Sequence, residues 1–170
     1  HQDVYDDYVD TSFTLTIDDV DSVYDAINDD YDVTVTFTIM KDGMPFLDLD
    51  EVPMLEQMRL YAQLYNSAEG TFNDDEGLVD ANHRISNGGT NVVAVGGGVY
   101  TATDTMEFAP EDEDSIVYAY IGDGPLETEG MTLYADVQNA GVFFGDGGDY
   151  VSLANVEGCE KCHGAPYRKH

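Results

Sequence analysis

The stretch DVTVTFTIM, from Asp32 to Met40, alternates β-branched or aromatic residues with threonine. Successive side chains of a β-strand point to opposite faces of the sheet, so this alternation predicts a strand with one buried face. Residues of these types also suit the pleated surface of a sheet. The stretch therefore indicates that β-structure organises the chain.

The same alternation recurs in four further stretches: SFTLTI (Ser12 to Ile17), MRLYAQLY (Met58 to Tyr65), SIVYAYI (Ser115 to Ile121) and MTLYADV (Met131 to Val137). Turn-forming residues lie between them, at Lys41 to Pro45, Asn87 to Gly89, Gly122 to Pro125 and Gly145 to Asp149. This spacing predicts an all-β fold, an antiparallel β-sandwich or split barrel of immunoglobulin-like or Greek-key type.

One stretch, DDVDSVYDAI (Asp18 to Ile27), is ambiguous. Its apolar residues are at helical spacing and acids occupy its first turn, which is typical of a short helix. A turn or a strand is also compatible with the stretch. Both interpretations stay open at this level.

Composition limits the classes of function. The 170 residues suit one domain with a sizeable core. Six basic against 35 acidic residues give a formal net charge of -29, which repels phosphate backbones and anionic lipids and so disfavours nucleic-acid and membrane-surface binding. The longest apolar runs fall far short of the roughly 20 residues that cross a bilayer. The start at His1 without an apolar leader predicts an exported protein whose signal peptide has been removed, or an artificial start.

The end of the chain has a different character. We divide the chain into an acidic β-sandwich domain, residues 1–154, and a tail, residues 155–170, in which acids are fewer and three basic residues gather: Lys161, Arg168 and Lys169. Both cysteines lie in this tail, within Cys159-Glu160-Lys161-Cys162-His163. This C-x-x-C-H pattern is the attachment sequence of c-type haem. Its thiols form thioethers with the two vinyl groups of one porphyrin edge, and the histidine ligates the iron from below.

Other chemistries of the same cluster remain as alternatives. Two thiolates and two imidazoles suit tetrahedral zinc, so a zinc site could use Cys159, Cys162, His163 and His170. Adjacent cysteine and histidine ligands are closer together than in usual zinc motifs, which favours haem. A redox-active C-x-x-C lacks the βαβ pattern that normally precedes it, and a short disulfide loop would stabilise the domain little.

The sixth ligand of the haem iron decides whether the haem transfers electrons or activates a small molecule. Two imidazoles leave no open position, so the centre transfers electrons without activating a small molecule. The candidates for a distal ligand are His170, in cis or in trans, His1 of another subunit, and His83, with the methionines less favoured. The default interpretation of His83 is a histidine of a polar surface loop.

Further residues have candidate roles around the haem or elsewhere. Arg168 and Lys169, with Lys161, are placed to neutralise the anionic propionates, although terminal basic residues are also commonly just solvated. Rings that could wall the haem are Tyr167, Tyr150, Phe143 and Phe144, with core packing the default for the phenylalanines. Loop carboxylates suit calcium, and Asp146 and Asp149 are the first pair to inspect.

The tail and parts of the body resemble a known family. NVEGCEKCHGAPYRKH is similar to the haem segment, followed by a second histidine, of the outer-surface multihaem c-type cytochromes of metal-reducing bacteria, the OmcA/MtrC type. VTVTFTIMKDGMPF and GGGVYTAT resemble β-domain strands of the same family. The resemblance implies extracellular electron transfer through covalently bound bis-histidine haem, with a β-sandwich or split barrel packed against the haem part. It carries Cys159, Cys162 and His163 over as attachment and proximal-ligand residues, and His170 as a ligand to some haem.

Family members continue through many haem motifs, whereas this sequence contains one. We therefore expect either a piece of a longer protein or a single-haem relative whose subunits bring haems together in an oligomer or filament. The expected partners are other copies of the chain, other cytochromes and extracellular electron acceptors. The expected localisation of the protein is extracellular or at the cell surface, after export. Its expected role is that of an electron carrier rather than an enzyme. The competing class is a β-sandwich binding or structural protein with a terminal zinc site.

Overall fold

The computed structural model describes residues 9–10, 13–46, 59–72, 82–85, 92–121, 125–128, 131–135 and 138–150. Within these ranges the chain forms β1 Val9–Asp10, β2 Phe13–Asp25, β3 Asp30–Lys41, β4 Met44–Pro45, β5 Arg59–Asn66, β6 Thr71–Phe72, β7 Asn82–Ile85, β8 Val92–Gly96, β9 Val99–Met106, β10 Ser115–Ile121, β11 Pro125–Thr128, β12 Met131–Ala135 and β13 Gln138–Phe144. Two short 3-10 helices, Pro110–Asp112 and Gly145–Asp149, accompany the strands.

Two antiparallel five-stranded sheets pack against each other. The first sheet has the order β2-β3-β9-β8, with β4 also paired to β3. The second sheet has the order β13-β10-β5-β6, with β7 also paired to β5. A separate three-stranded sheet, β1-β12-β11, pairs β1 with β12 in parallel. The predicted all-β sandwich is confirmed, because residues of both five-stranded sheets form one hydrophobic core.

The core begins with the alternation in β3. Its apolar residues Val33, Val35, Phe37 and Ile39 are completely buried, while the threonines between them face outward and are half-buried. From the second sheet they meet Leu60, Ala62, Val117 and Ala119. Phe37 stacks on Tyr100 of β9 with ring centroids 5.6 Å apart. Fully burying one large apolar side chain contributes about 1.5–3 kcal/mol, so β3 is the main stabilising strand of the first sheet.

The ambiguous stretch Asp18 to Ile27 is a strand and a turn, not a helix. β2 runs to Asp25 and pairs with β3 along its length, with a bulge between Ile17 and Asp19. The turn then closes through a hydrogen bond from the Asp29 amide to the Asp25 carbonyl, 2.9 Å. The residues at helical spacing bury no common face, because Val23, Tyr24 and Ile27 are exposed. Pairing with β3 satisfies the backbone hydrogen-bonding groups of β2. A helix would also satisfy them, but it would make no contact with the core.

The predicted turn at Lys41 to Pro45 is confirmed as the tight link between β3 and β4. Asp42 and Gly43 both have positive φ, 53° and 72°, as the two-residue hairpin turns that match sheet twist require. Gly145 to Asp149 forms a 3-10 helix. Asn87 to Gly89 and residues 122–124 lie outside the described residues. No helix in the described ranges is long and apolar enough to cross a membrane.

Candidate functional site

The residues predicted to hold haem lie outside the part of the chain that the structure describes. This applies to all of residues 151–170, with Cys159, Cys162, His163, Tyr167, Arg168, Lys169 and His170. It also applies to His1 at the other end. Their roles therefore stay predictions from sequence. The described body does define the point from which the chain continues into the tail.

That point is the 3-10 helix Gly145–Asp149 and the following Tyr150. The Asp146 amide donates to the Asp114 carboxylate over 2.7 Å, which ties the helix to the loop before β10. Gly147 is buried against the backbone of Ser115, and a Cβ at Gly147 would collide with the Ser115 carbonyl oxygen. The body thus holds the chain firmly just before the tail begins.

The proposed calcium pair lies on this helix. Asp146 and Asp149 are both exposed, and the nearby Asp114 carboxylate already accepts the Asp146 amide. Among the residues that the structure describes, there is no group of three or more histidine, cysteine or acidic residues arranged to hold a metal ion. Calcium at this helix therefore stays a prediction without support from its surroundings.

His83 does not lie in a surface loop. Its backbone belongs to β7, where it is paired with Ala62 of β5 in the second sheet. The interpretation as a loop histidine was wrong because the polar residues around it concealed a short strand. As a distal ligand, His83 stays a prediction.

The outer side of the second sheet is lined by aromatic rings. In β5 and β10 the buried residues are Leu60, Ala62, Val117 and Ala119, so the alternate positions face outward. We call the following outward residues and their ring neighbours the aromatic face: Tyr61, Tyr65, Phe72, Tyr118, Tyr120, Phe143 and Tyr150. The face is a feature that the sequence analysis did not predict.

The rings of the aromatic face form two groups. Tyr61 stacks on Tyr118, 5.1 Å between centroids, and lies 6.4 Å from Tyr120. In the second group Phe72 lies 5.2 Å from Tyr65, 4.8 Å from Tyr150 and 6.5 Å from Phe143. Such ring pairs stabilise a sheet face by about 0.5–1.5 kcal/mol each beyond their burial. The second group reaches Tyr150, so the aromatic face extends to the last described residue before the tail.

The two phenylalanines proposed as haem walls have different positions. Phe144 is partly buried and packs against the core, as the default interpretation had it. Phe143 is 46% exposed on the aromatic face, so core packing was wrong for this residue. Because neighbouring strand residues point to opposite faces, adjacent phenylalanines cannot share one environment.

The second sheet also differs in charge from the rest of the protein. Its strands contain no aspartate or glutamate, although the chain has 35 such residues. Two of the six basic residues occupy its ladders: Arg59 is paired with Tyr120, and Arg84 with Tyr61. In the first sheet, by contrast, the single strand β2 contains four aspartates: Asp18, Asp19, Asp21 and Asp25. The strands that form the aromatic face therefore carry no negative charge themselves, although acidic residues flank them at Glu69, Asp114, Asp146 and Asp149.

Acidic residues gather at the β2–β3 turn, as they also do in residues 111–114 before β10. The Tyr24 hydroxyl donates to Asp29 over 2.6 Å, and this hydrogen bond and the charge of Asp29 raise the pKa of Tyr24. The pKa of Asp30 is raised by desolvation first and then by the charges of Asp25, Asp32 and Asp29. One oxygen of Asp30 is shielded from solvent without a hydrogen-bond partner, although the residue is only half-buried. The turn is thus a place of electrostatic repulsion rather than a built site.

No known protein-family model and no curated protein matches this chain. The resemblance to outer-surface multihaem cytochromes therefore stays a prediction from its motifs.

Proposed function

We propose that this protein is an extracellular c-type cytochrome that transfers electrons through one covalently attached haem. The observation that carries the proposal is the sequence Cys159-Glu160-Lys161-Cys162-His163. Two thiols three positions apart, followed directly by an imidazole, are the donor set that c-type haem attachment needs. When bound, the haem supplies a one-electron redox centre.

The roles of the tail residues follow from that attachment. Cys159 and Cys162 hold the porphyrin edge, and His163 binds the iron. His170 completes a bis-histidine pair in cis or in trans, and His1 of another subunit is the alternative. Two imidazoles leave no open position on the iron, which favours electron transfer over catalysis.

The described body supports the proposal as a scaffold. It is a sandwich with a well-packed core, and its chain is fixed by the 3-10 helix Gly145–Asp149 before the tail starts. A protein with a net charge of -29 stays dispersed in salty water, as an exported carrier requires. The strands of the second sheet carry no acid, so they repel an anionic cofactor less than the aspartate-rich β2 of the first sheet.

A visible spectrum of the purified full chain tests the proposal. It should be recorded oxidised, reduced with dithionite, and reduced with carbon monoxide. We expect sharp low-spin bands that carbon monoxide does not change, and their loss when Cys159 and Cys162 are both replaced by serine. A wild-type protein without visible absorption that binds zinc would refute the cytochrome and establish the zinc alternative.

The distal ligand can be assigned with the same spectra. His170→Ala should open the sixth position, so that carbon monoxide then shifts the bands, whereas His83→Ala should leave them unchanged. A shift in the His83 variant alone would assign the distal position to β7 instead.

Assembly is a second part of the proposal, because His170 and His1 could each bind the iron of a neighbouring subunit. The charge of -29 opposes association unless salt screens it. Light scattering at about 0.5 M salt, where the screening length is only a few Å, should therefore show oligomers. A strict monomer under these conditions would exclude the filament or oligomer but not the cytochrome.

A further inference from the structure

We propose that the aromatic face is the docking surface of the haem-bearing segment, residues 151–170 of the same chain. The inference rests on the proposed function, because it assigns a position to the haem that Cys159 and Cys162 would carry. The docked group is a flat, largely apolar ring system with two carboxylates. Three properties of the described residues support this occupant.

The first property is the contrast between the two outer sides of the sandwich. On the first sheet, the outward positions of β3 and β9 carry threonines, and the Thr34 and Thr103 hydroxyls lie 2.9 Å apart. The middle of this outer side is therefore polar, as an alternating strand pattern predicts, while its edge strand β8 exposes Val93 and Val95. On the second sheet the equivalent positions carry tyrosine and phenylalanine rings. Most of these rings are half-buried, and Phe143 and Tyr150 are exposed; exposed apolar patches commonly mark a contact with another group.

The second property is charge. A haem carries anionic propionates, and most of this protein would repel them. The strands of the second sheet contain no acid, whereas β2 of the first sheet contains four aspartates. Charges are screened over about 8 Å at physiological salt, so an anion over the middle of these strands is repelled less than one near their ends, where Glu69, Asp114, Asp146 and Asp149 lie. The second sheet is therefore the favourable place for an anionic aromatic group within the two five-stranded sheets.

The third property is the path of the chain. Tyr150, the last described residue, is 37% exposed and contacts Phe72 of the aromatic face at 4.8 Å between ring centroids. Cys159 follows nine positions later. Nine extended residues span up to roughly 30 Å, whereas strands about 4.8 Å apart place β13 and β6 only about 15 Å from each other. The attachment cysteines can therefore reach any part of the face.

Docking there would have a chemical effect on the iron. Aromatic rings packed against the porphyrin would exclude water from one side, and solvent exposure is one of the factors that set a haem reduction potential. The face would then act as a wall of the redox site and not only as a surface of the scaffold.

Tryptophan fluorescence can locate the haem, because the chain contains no tryptophan. Haem quenches a nearby indole by energy transfer, which weakens steeply with distance. We would place one reporter on the aromatic face, Phe143→Trp, and a control on the outer side of the first sheet, Thr103→Trp. Each would be compared with the same reporter in a haem-free background with Cys159→Ser and Cys162→Ser. Tyr120→Trp is a second reporter on the face if Phe143→Trp does not fold.

We expect haem to reduce the emission of Phe143→Trp severalfold more than that of Thr103→Trp, independently of protein concentration. Equal quenching at both positions, in a protein whose visible spectrum is that of a cytochrome, would refute docking and leave the proposed function intact. Quenching that appears only at high concentration would assign the face to the haem of a second copy and would also overturn docking in cis. Absence of a haem spectrum would refute the proposed function itself.

A charge variant tests why the segment docks. Gln63 lies on the outer side of β5 between Tyr61 and Tyr65, and Thr36 is a matched outward position in the first sheet. In the Phe143→Trp background, Gln63→Glu should restore part of the emission, because it adds an acid where the propionates approach, and Thr36→Glu should not. Recovery in both variants, or in neither, would contradict the proposal.

Discussion

Gly98 lies in the turn between β8 and β9, where the turn touches β3 and β4. It is buried, and its φ of +82° falls in the left-handed region. A Cβ there would lie 2.8 Å from the Ile39 carbonyl oxygen, 3.1 Å from Pro45 Cα and 3.2 Å from the Phe46 amide nitrogen. Gly98→Ala should therefore destabilise the protein through both backbone strain and collision.

The two contributions can be estimated separately. The left-handed backbone costs a residue with a Cβ about 1–2 kcal/mol. The collision adds the cost of overpacking, typically about 1–3 kcal/mol. The Ile39 carbonyl cannot move away freely, because it accepts the Phe46 amide at 3.1 Å, while the Ile39 amide donates to the Gly98 carbonyl at 2.9 Å. The sum, about 2–5 kcal/mol, is a large share of the roughly 5–15 kcal/mol that stabilises a typical domain.

Gly97→Ala provides a matched control in the same turn. Gly97 has a φ of +64°, but nothing lies within 4 Å of its Cβ position. In denaturant titrations, Gly98→Ala should thus be less stable than Gly97→Ala by about 1–3 kcal/mol, the overpacking cost alone. The effect of alanine on the unfolded chain is the same in both variants and cancels. Equal losses would refute the close contact between this turn and β3–β4.

Three further predictions concern the body of the protein. Phe37→Ala should cost about 3–5 kcal/mol in denaturant titration because it empties the core, while Ile27→Ala, at an exposed position, should change stability by less than about 0.5 kcal/mol. Ser115→Ala removes a buried 2.7 Å hydrogen bond to the Pro110 carbonyl and should cost about 0.5–1.5 kcal/mol. The pKa of Asp30 is raised in the folded state, so its stabilising contribution is present below its ordinary pKa and is lost as the pH rises through the raised value. Asp30→Asn should raise the melting temperature at pH 7, and this gain should disappear in acid.

The strands of the core could be predicted from sequence because their signal is local. In Asp32 to Met40 the alternation alone separates buried from outward residues, and β3 follows it without a bulge. In Asp18 to Ile27 the local pattern fits helix and strand alike. The outcome there depends on pairing with β3, for example Val20 with Val35, which no window of sequence contains.

The aromatic face could not be predicted for a related reason. The alternating stretches Met58 to Tyr65 and Ser115 to Ile121 show tyrosines at outward positions. Only the strand register places Tyr61 opposite Tyr118. Tyr150 joins the same face through the fold of the following 3-10 helix. A patch assembled from several separate segments has no signature in any one of them.

The uneven distribution of charge connects the body with the tail. A chain with 35 acids has few places where an anionic group can approach without repulsion. If acids were placed only for solubility, outward positions of both sheets would be expected to carry them, yet the strands of the second sheet carry none. Tyrosine and phenylalanine occupy those positions instead, and their rings pack against one another. The haem-bearing segment that follows Tyr150 is the group that the chain itself delivers to this surface, and it contains the attachment sequence of a flat, anionic cofactor.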